Sequence, residues 1–344
     1  MGRKFVINTA VSIPVYKQVI SQIEQKIISG EYAPGYQLPS MNELAAELEI
    51  SKETIKKAYA ILRDKGVIEP RQGKGFYVRG LEEDRPLRIL LLFDKLSSYK
   101  QVLFQSFIDK IGEDAEVTIR IHNQNLDVLE FFIDEDVDNF DYYVLSPHFP
   151  LDAASQKRMH RLLKRIPNRK LILVDRNIPE LPGNYGAVYQ DFSIDVTHAL
   201  AEGIDKLKAA LKLNVVIMPN SLYSAQITHA VNVFCQTNEL NVEFHHGVSE
   251  EIVRPNEVYL LLNSQLDGGL LDFSRITKAR GMKIGEDVSV ISYNDSPINE
   301  IILNGLTAVS TDFEQMGTLA AEMILNRNLT KVKCDFRLIR RSTF

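Results

Sequence analysis

Between Ser51 and Lys57 the chain reads Ser-Lys-Glu-Thr-Ile-Lys-Lys, a run rich in hydroxyl and ammonium groups. Such groups bond phosphate oxygens and base edges when a rigid element holds them outward. The spacing supplies the element. Ile55, Ala58, Tyr59 and Leu62 recur at i, i+3, i+4 and i+7, the apolar stripe of one helix. Lys52, Lys56 and Arg63 fall off that stripe, Thr54 and Lys57 sit near the exposed start, and Ser51 is placed to cap it. Just upstream, Ser40 and Glu43 have the S-x-x-E spacing of a capping box, followed by Leu44, Ala45 and Leu48 on one face. Two short helices with a tight turn between them predict a helix-turn-helix whose second helix enters a major groove.

Further elements complete that unit. Pro14 to Gly30 reads as a preceding helix with Val15, Val19, Ile23 and Ile27 as its buried line. Val67–Glu69 and Phe76–Val78 read as two short strands around the turn Pro70–Gly75. In that turn Gly73 and Gly75 permit close backbone approach, while Arg71 and Lys74 supply positive charge. The prediction is a winged helix-turn-helix over residues 1–79. Charge agrees: residues 1–80 hold 12 basic and 8 acidic side chains, whereas the remainder holds 28 and 37. A basic head on an acidic body directs polyanion binding to the head. The candidate DNA-contacting set is Ser40, Asn42, Ser51, Lys52, Thr54, Lys56, Lys57, Arg71, Gly73 and Lys74.

These residues resemble the GntR-type bacterial regulators. The likeness is carried by Pro14, Tyr16, Gln18, Gly30, Tyr32, Gly35, Leu38-Pro39-Ser40, Glu43-Leu44-Ala45, Ser51, Thr54, Ala58, Leu62, Gly66 and Gly73-x-Gly75-Phe76. The resemblance implies DNA-reading positions at Asn42, Ser51, Lys52, Thr54, Lys56 and the wing at Gly73. The family usually carries arginine where this chain has Asn42 and Lys52. Arginine grips guanine with a two-pronged fork, lysine is a point donor, and asparagine matches adenine. The same docking on an operator shifted from the family's usual GT/AC core is therefore expected.

Residues 80–87 break the pattern with charges and a proline and read as a linker. Beyond it, apolar runs of strand length recur at Arg88–Phe93, Val117–Ile121, Tyr142–Leu145, Leu171–Val174, Val215–Ile217, Val258–Leu262 and Val288–Ile291, with helix-patterned segments between them. Strands buried on both faces and alternating with helices predict an α/β body over 88–344 with parallel sheets. Ligands in such sheets bind beyond the carboxyl ends of the strands. The residues there include Asp94, Tyr99, Lys100, Gln101, Ser146, His148, Asp175, Arg176, Gln190, Asn263 and Asn294. Carboxylates, amides, arginine and aromatic plates suit a ligand with many hydroxyls and apolar C–H faces. Loops are polar in any α/β protein, so each cluster alone would signify little.

The body resembles the periplasmic-binding-protein-like effector domain of LacI-type repressors. The likeness is clear in Leu171–Pro179, Gly285–Asp295, Thr307–Phe313 and the ending Leu338–Thr343. It implies two lobes, one of about 88–190 with 310–344 and the other of about 192–308. It also places effector contacts at Asp175, Arg176, Asn263 and Asn294, under a closing Ser98–Gln101 loop. That family commonly has aspartate at Asn294 and at Ser264, and an arginine where this chain offers Gln226 or His229. A GntR-type head on a LacI-type body is the architecture of arabinose-responsive repressors, with fucose-responsive ones as neighbours.

No catalytic or metal-binding pattern stands out among the seven histidines, and adjacent His245 and His246 point to opposite faces if on a strand. Cys235 and Cys334 lack metal spacing and read as free thiols. No apolar stretch approaches the about 20 residues of a membrane span, and no signal peptide opens the chain, so it is expected to be cytoplasmic. The expected protein is a homodimeric, non-enzymatic repressor without cofactor. It binds double-stranded operator DNA and is controlled by a monosaccharide through a shift between open and closed bodies. The alternatives are an enzyme-like body on the same head, which would require a longer chain, and a sugar-binding protein without a DNA role.

Overall fold

The computed structural model describes residues 5–7, 13–71, 73–79, 86–113, 115–137, 139–217, 222–262 and 268–344. The chain divides into two compact units, residues 1–85 and 86–344. Most of the expected linker, 80–85, lies outside the described residues, and Leu87 already belongs to the first strand of the body.

The first unit contains α1 (Val15–Ile28), α2 (Met41–Glu47), α3 (Lys52–Asp64) and the antiparallel pair β1 (Ile68–Arg71) and β2 (Gly75–Val78). The Ser40 hydroxyl accepts from Glu43 N while the Ser40 N–H donates to the Glu43 carboxylate, closing the capping box that starts α2. Those bonds from Ser40 hold the Glu43 carboxyl below its ordinary range. Ser51 caps α3 by accepting from Thr54 N at 3.2 Å. Ile55, Ala58, Tyr59 and Leu62 are buried against Val19, Ile23, Leu44, Ile68 and Val78, as the period of 3.6 requires. In α1, Val19 and Ile23 are buried but Val15 and Ile27 only half-buried, because Ile20 and Lys26 share the inner face.

The second unit has two lobes. In the first, β3 (Leu87–Phe93), β4 (Ala115–Ile121), β5 (Tyr142–Leu145), β6 (Leu171–Asp175) and β7 (Gly186–Tyr189) alternate with α4 (Ser98–Ile111), α5 (Leu126–Asp136) and α6 (Ala153–Leu163). In the second, α7 (Asp195–Glu202), α8 (Ile204–Ala209), β8 (Leu213–Ile217), α9 (Ser224–Thr237), β9 (Val242–His246), β10 (Val258–Leu262), α10 (Gly268–Ala279), β11 (Ser289–Tyr293) and β12 (Thr307–Thr311) follow. Helix α11 (Phe313–Leu325) and β13 (Lys331–Lys333) return to the first lobe, and β14 (Phe336–Ile339) returns again to the second. The six-stranded sheets run β13-β7-β6-β5-β3-β4, all parallel, and β14-β12-β11-β10-β8-β9, parallel except for β12 with β14. The central strands β3, β6 and β10 are buried on both faces, which is why they read as continuous apolar runs.

The lobe boundary differs from the expectation. Residues 310–344 do not all join the first lobe. β12 and β14 pair with each other in the second sheet, and Leu338 and Phe344 pack in the second-lobe core. Only α11 and β13 cross back, because Phe313, Met316 and Ala320 pack on Leu91, Phe93 and Leu103. The chain thus crosses between lobes three times, and Asp195 and Lys333 form an ion pair at these crossings.

Candidate functional sites of the two units

In the winged helix, Ser40, Asn42, Ser51, Lys52, Lys56, Lys57, Arg71, Gly73 and Lys74 are exposed and Thr54 is half-buried. Several are already engaged. The Ser51 and Thr54 hydroxyls lie 2.8 Å apart, so the cap and the candidate base-reading group share one hydrogen bond. Lys57 Nζ stands 4.1 Å from the centre of the Tyr16 ring. Arg71 is paired with Glu69 at 3.2 Å and lies over Tyr77 at 4.5 Å. In the wing, Gly73 adopts φ +71 and Gly75 φ +95, backbone that side chains resist, and the Gln37 amide donates to the Lys74 carbonyl at 2.8 Å. Among the described residues Lys52 forms no ion pair, whereas Lys56 meets an exposed Glu53 at 3.5 Å. An exposed pair of that kind is worth little and yields readily to a phosphate.

In the body, the carboxyl ends of β3, β5 and β6 bring together a buried polar cluster. Lys100, on the first turn of α4, is fully buried and donates to Asp175 Oδ2 at 2.7 Å and Ser146 Oγ at 2.9 Å. Asp94 Oδ1 lies 3.4 Å from the same ammonium. Asp175 Oδ2 also meets His148 Nε2 at 2.9 Å, and its Oδ1 accepts from Gln190 at 2.6 Å. Burial works against the Asp175 charge, but Lys100 and His148 outweigh it and hold this carboxyl far below the ordinary range. Lys100 is likewise opposed by burial yet held above its usual value by Asp175 and Asp94. His122, stacked on Phe149 at 4.4 Å, is pushed down to about 4 by burial and remains a neutral spacer.

Two oxygens just beyond strand ends of the body stand out. Asp94 Oδ1 and Asn294 Oδ1 are buried and have no hydrogen-bond partner among the described residues. Asp94 follows β3 in the first lobe and Asn294 follows β11 in the second. Asp175 and Asn294, at the ends of β6 and β11, both adopt φ +73, an uncommon conformation for side-chain-bearing residues that recurs at matching places in the two lobes.

The placement of the other candidates is mixed. The expected closing loop at Ser98–Gln101 is the start of α4, capped by Ser97, because the Ser97 hydroxyl satisfies the first turn. Tyr99 is buried and stacks on Phe313 at 4.7 Å, while Gln101 faces solvent. Arg176 is half-buried and donates to the Pro147 carbonyl and to Gln156. Gln226 and His229 are exposed on α9, apart from the buried cluster. Asn263 lies outside the described residues. Tyr223 and Phe192 are not among the candidates read from the sequence, although each follows a strand; Tyr99 is the one tyrosine among them and no phenylalanine is. The Tyr223 and Phe192 rings stack at 3.9 Å with an interplanar angle of 9°, and the Tyr223 hydroxyl is 2.7 Å from His148 Nδ1.

Among the described residues no helix is long and apolar enough to cross a membrane and no acidic, histidine or cysteine group could hold a metal ion. Residues 15–78 match the bacterial regulatory proteins of the gntR family, and residues 263–339 match a periplasmic binding protein-like domain. The chain is 34% identical over 98 residues to the HTH-type transcriptional repressor YtrA of Bacillus subtilis, a match spanning 28% of this chain and 72% of that protein. Two further regulators of that organism, YdeF and YhcF, are matched over only 22% and 55% of their own length. Among solved structures, the trehalose repressor from Escherichia coli is similar with a TM-score of 0.58 at 12% identity, covering 74% of this chain and 99% of that one. A LacI family transcriptional regulator from Lactobacillus casei with bound glucose gives 0.58 at 15% identity, covering 75% and 99%. At such identities the likeness shows the shared fold. The winged helix, its gntR match and the two-lobed body together place this chain in the GntR family of bacterial regulatory proteins, as a DNA-binding transcriptional regulator with a LacI-like periplasmic-binding-protein-like domain.

Proposed function

We propose that the protein is a cytoplasmic homodimeric repressor of carbohydrate-utilisation genes whose operator affinity is set by a monosaccharide held between the two lobes. The observation that carries the sugar reading is a pair of buried oxygens that accept no hydrogen bond among the described residues, Asn294 Oδ1 in the second lobe and Asp94 Oδ1 in the first, the latter facing the Lys100 ammonium at 3.4 Å. A buried acceptor without a donor is costly, and a polyol supplies hydroxyl donors to both while drawing the lobes together. Lys100 does not recruit an anion, since two carboxylates already surround it. One structural neighbour is named a trehalose repressor and another has glucose bound, which agrees with a sugar as the class of effector. On the DNA side, Lys52 and Thr54 face base edges, and Lys56 and the wing bind phosphates. Two-fold symmetry of the dimer matches paired half-sites.

The test is thermal melting against L-arabinose, L-fucose and a wider monosaccharide panel. A ligand at 100 times its Kd adds ~2.7 kcal/mol, a readily measured shift. A selective shift that weakens in Asp94→Asn and Asn294→Ala supports the reading. A shift that survives both substitutions unchanged places the sugar elsewhere, and none with any sugar removes the effector class.

A further inference from the structure

Tyr223 comes from the second lobe, just before α9, yet its hydroxyl bonds His148 of the first lobe at 2.7 Å. The ring lies flat on Phe192, in the crossing between lobes, and the Arg176 guanidinium sits 5.7 Å from its centre. Only 8% of the residue is exposed. His148 is fixed from its other side by Asp175, which meets Nε2 at 2.9 Å and leaves Nδ1 facing the phenol. A flat body stacked on an aromatic plate, with a hydroxyl given to a buried acceptor, is how a sugar ring would be held.

We propose that Tyr223 is a built-in occupant of the effector cleft, bridging the lobes through His148 and standing where a sugar ring must bind. The proposal rests on the sugar reading above. A phenol has one hydroxyl. It meets His148 and gives no hydrogen bond to Asn294 Oδ1 or to Asp94 Oδ1, which has only the Lys100 ammonium at 3.4 Å, whereas a polyol carries hydroxyls enough for all three. Tyr223 is therefore a partial surrogate that a better-matched ligand displaces. The bridge holds the lobes together until then and sets a threshold for the sugar, since binding must first break the contact.

Tyr223→Phe keeps the ring and removes only the hydroxyl; Tyr223→Ala removes both. Hydrogen exchange of peptides spanning Ser146–His148 and Tyr293–Asp295 reads the bridge without any ligand, and calorimetric titration with L-arabinose, L-fucose and the panel reads the competition. Faster exchange in both variants, with about threefold to tenfold tighter sugar binding in Tyr223→Phe, is expected. Unchanged exchange overturns the bridge. Weaker binding in Tyr223→Phe overturns the competition and makes the phenol a sugar contact. Faster exchange with no sugar bound by any form supports the bridge and refutes the sugar reading instead.

Discussion

Lys100→Met exposes the logic of the body site most directly. The ammonium is fully buried, 2.7 Å from one carboxylate and 3.4 Å from another. With an effective dielectric constant of about 20, the nearer attraction alone is about 6 kcal/mol, a gross figure largely offset by the desolvation of both ions. Removing one partner leaves the others charged, buried and unpaired, at a net cost of about 3–5 kcal/mol. For a domain of this size that lowers Tm by about 6–20 °C. The pH dependence gives the sharper test. In the native chain Asp175 is held far below its unfolded value, so its stabilisation is complete above about pH 5 and is lost as pH falls through the acid range. Lys100 is held above its unfolded value, so its share is complete below about pH 10 and is lost as pH rises further. Both are intact across the neutral range. Without the lysine, burial dominates at Asp175 and Asp94, their folded pKa values rise above the unfolded ones, and the sign inverts. The variant then gains stability as pH falls. Urea unfolding followed by circular dichroism should show the deficit narrowing from pH 7.5 to pH 5, and Asp175→Asn in the same chain should recover part of it. A deficit below about 1 kcal/mol, or one that widens on acidification, would refute the buried-charge argument.

Other predictions follow from single contacts. Lys56→Ala should weaken binding to all DNA and reduce the salt slope by about one, whereas Thr54→Val and Lys52→Ala should change which sequences bind; identical behaviour in salt titrations would merge the assigned roles. Gly317 lies where α11 crosses α4, and an added Cβ would land on the Leu103 carbonyl and the Ser106 hydroxyl and 2.9 Å from Phe107 N. Gly317→Ala should therefore cost about 1–3 kcal/mol in denaturant unfolding, and a neutral result would mean the helices part freely. Burial raises Cys235 to about 11 and Cys334 to about 12, so both thiols should react slowly with a disulfide reagent at pH 8 and rapidly once guanidinium unfolds the chain.

The winged helix was readable because its determinants are local. The Ser40–Glu43 box, the Ser51 cap and the stripe Ile55–Ala58–Tyr59–Leu62 each specify structure within a turn or two. The wing's bonding was less so, since the amide of Gln37 reaches the Lys74 carbonyl from 37 residues away. The parallel strands β3, β6 and β10 announced themselves as apolar runs, but β7, with its glycine and only four residues, and the edge strand β9 gave weaker signals. The return of β14 to the second sheet was hidden for a different reason. Leu338 and Phe344 would serve either core equally well, and only pairing with β12 decides.

Charge partnership lies deeper still. Asp175 and Lys100 both sit beyond strand ends, where polar residues suggest ligand contacts, and nothing in their type distinguishes a ligand hand from a counter-ion. The distinction depends on how many donors converge. Asp175 receives Lys100, His148 and Gln190, from 75, 27 and 15 residues away, and has little capacity left for a ligand. Asp94 and Asn294 each keep one buried oxygen without a hydrogen bond among the described residues, although that of Asp94 still faces the Lys100 ammonium at 3.4 Å. In the proposed site, the count of satisfied lone pairs separates the residues that would build it from those that could still respond to a ligand. Tyr223 adds the final element. In the proposed arrangement its hydroxyl meets His148 and gives no hydrogen bond to either of those oxygens, so an aromatic side chain would hold the cleft without saturating it.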